Sequence, residues 1–205
     1  MSDRNSWNWS DDYSMAWSAT GNPRIVAVIQ RDDNAPAPDF SAPALLAHGY
    51  GSRAHFEESG MSDNGARIGW IEAYERWGKS FADRFVSVFY GVTIHHLSSS
   101  IDQYAWAIVF DSPEWRADYG IEPGAELSRA DITGDMQAWL NGDVYAIGYA
   151  VIESRVTDEL PFDIDAAEVT IESYGYFGDD YAMRAALDFE CGSPDLETLI
   201  DWSNN

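Results

Sequence analysis

The order of the apolar segments is the tightest constraint on this chain. Strand-like runs arrive in pairs, and helix-like segments do the same. Residues 84–94 (RFVSVFYGVTI) and 103–110 (QYAWAIVF) read as consecutive strands, rich in β-branched and aromatic side chains. Helical segments follow at 113–119 and 125–140. Strands at 144–152 (VYAIGYAVI) and 168–174 come next, then a helix from 180 to 189. Strict βαβ alternation, the mark of a parallel doubly wound sheet, is missing. The expected class is therefore α+β, a mainly antiparallel sheet with helices packed on one face.

Local signals support these segments. Ser112 or Asp111 caps a helix whose first position is Pro113 and whose Glu114 complements the dipole. Asn141-Gly142-Asp143 is a tight-turn signal. In residues 84–94, Phe85, Ser87 and Phe89 alternate with Val86, Val88 and Tyr90, as in a strand covered on both faces. Residues 24–31 (RIVAVIQR) read as a buried strand, 66–71 as a short strand, and 72–83 as a helix carrying Tyr74, Trp77 and Phe81. Glycines 49, 51, 60 and 65 leave residues 44–65 ambiguous, and residues 95–102 read as a Ser-rich turn. A last helix begins near Ser193.

A length of 205 residues suits one domain or two small ones. The expected organisation is a polar arm at 1–22 and a single α+β domain at 23–205. A division into subdomains at about 23–83 and 84–205 is the alternative. With 45% hydrophobic and 14% aromatic residues, the chain has the apolar surface for a real core.

Charge decides which partners are open to it. There are 35 acidic and 12 basic residues, giving −23, and Lys79 is the only lysine. Affinity for nucleic acid rests on basic contacts, so direct binding is excluded as an expectation, and anionic membranes are disfavoured for the same reason. The acids are uneven along the chain. Residues 1–102 carry −5 and residues 103–205 carry −18. A carboxylate array interleaved with apolar positions imitates part of the field of a phosphate backbone. The acids assigned to such a face are Asp131, Asp135, Asp158, Glu159, Asp179, Asp180, Asp188 and Glu190. The bland alternative is that the acidity serves solubility or salt adaptation alone.

Catalytic and metal chemistry find little footing. His95 and His96 are adjacent, so on a strand they point to opposite faces. His48 and His55 lie in an irregular region, and no Cys pair or HExxH pattern supports zinc. Asp163 and Asp165 lack the glycine and terminal Glu of a calcium loop. Gly49-Tyr50-Gly51-Ser52 is no phosphate loop. Cys191, the only cysteine, permits no internal disulfide and has no nearby base in sequence. The expectation is a protein that is not an enzyme and carries no cofactor or metal. The start of the chain lacks a signal-peptide pattern and no segment has the length of a membrane span, which points to the cytoplasm.

Residues 102–110 (DQYAWAIVF), 139–145 (WLNGDVY) and 173–178 (SYGYFG) carry a family resemblance. Over residues 85–190 the chain resembles a family of small uncharacterised proteins found in bacteriophages and mobile elements. Its pattern is a strand, a helix, a YLxGDVYG turn and strand, then SCWGFYG. Here Ala146-Ile147-Gly148 replaces the single glycine after Val-Tyr, and Tyr174 stands at the usual Cys-Trp. The resemblance implies viral or mobile-element origin and no activity. Combined with the charge, it yields an expected function. An acidic accessory protein would inhibit a basic host partner, such as a nuclease or defence factor, by presenting a DNA-like carboxylate face. The alternatives are a virion, assembly or other structural interaction protein, and then an enzyme with an unrecognised carboxylate site. A large apolar patch and a defined oligomer would mark the assembly reading.

Overall fold

The computed structural model describes residues 7–11, 13–20, 25–38, 42–48, 55–59, 64–100, 104–122, 124–151 and 169–192. Among them the chain is α+β and every strand pairing is antiparallel. It divides into two compact units, residues 1–35 with 143–205, and residues 36–142. The second is inserted into the first, so the boundaries fall near Ala35 and Gly142 and not near residue 83.

The first unit holds β1 (Asn8–Trp9), β2 (Met15–Ala19), β3 (Ile25–Arg31), β8 (Val144–Val151), β9 (Val169–Phe177) and α5 (Asp179–Gly192). Its sheet order is β1-β2-β3-β8-β9. The apolar runs 25–31 and 144–151 become neighbours, with Val28 opposite Gly148 and Ile29 opposite Ile147. Each is buried nearly end to end, as a central strand should be. Ala182, Met183 and Ala186 of α5 close one face over Ala27, Ile29, Tyr145 and Ile147. The supposed polar arm is corrected here. Its described residues include β1 and β2, and Trp7, 5% exposed, is part of this core. Burying one tryptophan outweighs the polarity of its neighbours.

The second unit holds β4 (Ala44–His48), β5 (His55–Ser59), α1 (Asn64–Trp77), α2 (Lys79–Tyr90), β6 (Thr93–Ser98), β7 (Tyr104–Asp111), α3 (Pro113–Asp118) and α4 (Arg129–Asn141). Its sheet order is β5-β4-β7-β6. α1 and α2 cover one face, packing Trp70, Ala73, Ala82 and Val86 over Leu45, Ile108 and Phe110. Trp70 is fully buried, stacked on Tyr74 at 5.0 Å and edge-on to Phe56 and Trp106 at 5.5 and 6.0 Å. By strand alternation Ala107 and Val109 turn to the other face, which α4 covers, with Trp139 against Tyr104 at 5.3 Å.

Three further expectations are corrected. Residues 84–94 are not a strand: α2 runs through Tyr90 and ends at Gly91, whose φ of 66° is the left-handed conformation of a helix C-cap. The decisive pattern is burial of Ala82 and Val86 with Arg84 and Val88 exposed, which a helix satisfies, whereas a strand would place all four on one face. Residues 66–71 belong to α1, and the ambiguous 44–65 supply β4 and β5. The single sheet expected across 84–176 is two sheets, since residues 104–111 pair in one unit and 144–151 with 169–177 in the other. The last helix and the loop around Pro161 fall outside the described residues.

Candidate protein interaction surface

Covering the sheet with one side of α2 leaves its other side to solvent, and that side is aromatic. Trp77, the last residue of α1, starts a row that continues through Phe81, Phe85 and Phe89 at four-residue steps. Successive ring centroids are 4.8, 6.4 and 4.8 Å apart. Trp77 is 59% exposed, Phe81 45%, and Val88 and Phe89 74% each. Tyr90, edge-on to Phe85 at 6.3 Å, extends the patch. Each aromatic side chain carries roughly 150–250 Å², so the exposed fractions sum to on the order of 600 Å². That is at the top of the range for the largest apolar patch on an ordinary monomer.

The electrostatics of this face differ from the rest of the chain. Residues 76–90 contain Arg76, Lys79 and Arg84 and a single acid, Asp83. Asp83 is turned inward. Its Oδ1 accepts the Trp70 indole N–H at 2.8 Å, and its Oδ2 pairs with His96 Nε2 at 2.9 Å. All three cations are exposed; Arg76 lies 5.8 Å from the Trp77 ring, whereas Lys79 reaches back to the Trp106 ring of the core at 5.3 Å.

The acids singled out from the sequence fall in both units. Asp131 and Asp135 stand on α4 of the second unit, and Asp179, Asp180 and Asp188 on α5 of the first. Asp158 and Glu159 lie outside the described residues, and Glu190 is in α5. Three of these acids have local duties. Asp131 forms a capping box with Ser128, and those hydrogen bonds hold its carboxyl below the usual aspartate range. Asp179 and Asp180 occupy the first turn of α5, where the helix dipole favours them. Asp180 and Asp188 are exposed, whereas Asp135 is half-buried and burial raises its pKa.

The described histidine side chains sit in three different settings. His96 faces α2 through Asp83. His95 has a buried Nε2 without a hydrogen-bond partner among the described residues, and burial holds its pKa down against the pull of Asp111. His48 Nε2 lies 2.9 Å from Glu57, whose same oxygen accepts the Tyr104 hydroxyl at 3.2 Å. Among the described residues no group of three His, Cys, Asp or Glu could hold a metal ion. A cavity of about 540 Å³ opens beside Asp111, Arg116, Thr93 and Glu122, but Asp111 and Arg116 already satisfy each other across it. Among the described residues no helix is long and apolar enough to cross a membrane.

The aromatic row was visible in sequence as four-residue spacing, yet the β-branched content of 84–94 argued for a strand and hid it. No family model, curated protein or solved structure matches this chain.

Proposed function

We propose that this chain is an assembly protein that pairs with a second copy of itself through α2, with no catalytic role. The observation that carries the reading is the aromatic row Trp77–Phe81–Phe85–Phe89, exposed at Trp77, Phe81 and Phe89 and anchored on the core through half-buried Phe85, with exposed Val88 beside it. Ridges at four-residue spacing fit the grooves of an identical helix, so a two-fold contact needs no other partner. Two such patches would bury roughly 1,200 Å² in total, the lower end of specific interfaces. Charge argues for this face as well. Two chains of −23 repel, and α2 offers the one helix where cations outnumber acids among the described residues.

Sedimentation of the wild-type chain and of the double variant Val88→Ser/Phe89→Ser tests the proposal. The wild type should dimerise with rising concentration, and more readily as salt screens the net repulsion. The variant should remain monomeric with an unchanged melting curve. A wild type that stays monomeric up to its solubility limit, or a variant that dimerises equally, sinks the reading.

A second reading, that acids engage a basic partner such as a nuclease by mimicking DNA, is favoured by the composition of the first unit. It contains 20 acidic and 5 basic residues, against 15 and 7 in the second. Asp180 and Asp188 on α5 and Glu172 on β9 are exposed within it. Binding of that kind should weaken steeply with salt, opposite to the α2 contact.

A further inference from the structure

Behind α3, a second cavity of about 230 Å³ lies between the Trp115–Tyr119 segment and α4. Trp115 and Tyr119 form an aromatic wall, their ring centroids 5.7 Å apart and their planes tilted by 44°. Asp131 and Asp135, one helical turn apart on α4, supply two carboxylates, and Ile121 and Ile132 are among the apolar residues that complete the lining. Among the described residues that line it there is no cation.

The two carboxylates are not equivalent. Asp131 is committed to the Ser128 backbone N–H at 2.8 Å. Asp135 has no hydrogen bond or ion pair among the described residues although it is half-buried. A buried charge without a counterpart is costly, and burial accordingly raises its pKa. Trp115, 6% exposed, likewise has an indole N–H with no acceptor among the described residues. A carboxylate with no partner among the described residues, lining one cavity with two aromatic rings, favours a cationic occupant.

We propose that this cavity is a binding site for a small organic ammonium ion of the trimethylammonium type, held by the rings of Trp115 and Tyr119 and paired with the Asp135 carboxylate. Hard metal ions are poorly served here, because they require several oxygen ligands and the walls are mostly carbon. A primary ammonium is strongly hydrated and would have to replace that water with acceptors, here only the carboxylate oxygens left free beside the rings. A methylated ammonium needs none and benefits from aromatic contact. The volume equals that of about seven or eight liquid waters, which is the scale of a choline-sized ion.

The test is calorimetric titration of the full chain with choline and with 3,3-dimethylbutan-1-ol, its neutral isostere, alongside the NMR signal of the Trp115 indole N–H. Choline should bind about tenfold more tightly than the isostere and shift the Trp115 signal. Asp135→Asn should remove most of that preference while leaving the weak binding of the isostere unchanged. Tyr119→Ala, at a side chain 41% exposed, tests the aromatic wall without opening the core and should also weaken choline. Equal affinity for choline and the isostere overturns the proposal. So do an equal response to sodium chloride, or full choline binding in both variants.

Discussion

Arg116 holds Asp111 through two parallel hydrogen bonds, Nε to Oδ1 at 2.7 Å and Nη2 to Oδ2 at 2.8 Å. The pair staples the end of β7 to α3, and Arg116 Nη1 also donates to the Ala125 carbonyl at 2.8 Å. Asp111 is 6% exposed, so removing its charge leaves the guanidinium without its fork partner. Asp111→Asn should lower the melting temperature by roughly 5 °C or more. Arg116→Lys should not substitute for arginine, because an ammonium cannot match both oxygens. A thermal melt of each variant checks this, and a neutral Asp111→Asn would count against the staple.

The core beneath α2 and the exposed side of α2 should respond oppositely to substitution. Phe110, fully buried beneath the helices, should cost about 3–5 kcal/mol on truncation to Ala. Phe89→Ser, at a side chain 74% exposed, should change monomer stability by only about 0.5 kcal/mol. Its effect should be on association. Urea unfolding of both variants, measured at low protein concentration, separates the two roles.

α4 carries two aspartates whose pKa values move in opposite directions. Hydrogen bonds to Ser128 lower Asp131, so its stabilisation is present above the unfolded pKa and lost as pH falls through the folded one. Burial raises Asp135, so the native state binds its proton more tightly and stability declines as pH rises from the unfolded to the folded pKa. The charged groups around Asp135 in its cavity, chiefly Asp131, add no cation to relieve it. Asp135→Asn should therefore raise the melting temperature at pH 7 and make no difference in strong acid. Ser128→Ala should cost about 1 kcal/mol at neutral pH. Carboxyl NMR titration of both residues provides the check, and an Asp135 that titrates below Asp131 would refute the assignment.

Gly148 sits where β8 and β9 come unusually close, at an irregularity in their register. A Cβ there would collide with the Thr170 carbonyl and crowd Ile171. Both contacts are backbone, so no side chain can swing aside. Gly148→Ala should destabilise the chain by about 1–3 kcal/mol or more. Gly134→Ala on α4, where nothing lies within 4 Å, should be neutral or stabilising. Paired denaturation curves decide between a steric and a purely conformational role for Gly148.

What the sequence determined by itself were the features written in adjacent residues. Ser112 accepts from the Trp115 N–H with Pro113 at the helix start, and Gly142 takes the left-handed C-cap after α4, as the local chemistry dictates. The apolar runs at 25–31, 104–111 and 144–151 are strands because few other structures bury so many consecutive β-branched and aromatic side chains. Tertiary structure decided the rest. Residues 84–90 satisfy both a two-residue and a four-residue apolar period. Only the sheet beneath α2 selects the helix, by burying Ala82 and Val86 and leaving Phe81, Val88 and Phe89 outside. Strand partners more than a hundred residues apart, such as Ile29 and Ile147, carry no local mark of their pairing. The cavity beside Asp135 exists only because α3 and α4 fold together, and its carboxylate has no partner among the described residues. Local hydrogen bonding is encoded by sequence neighbours, whereas exposure is a property of what packs on top.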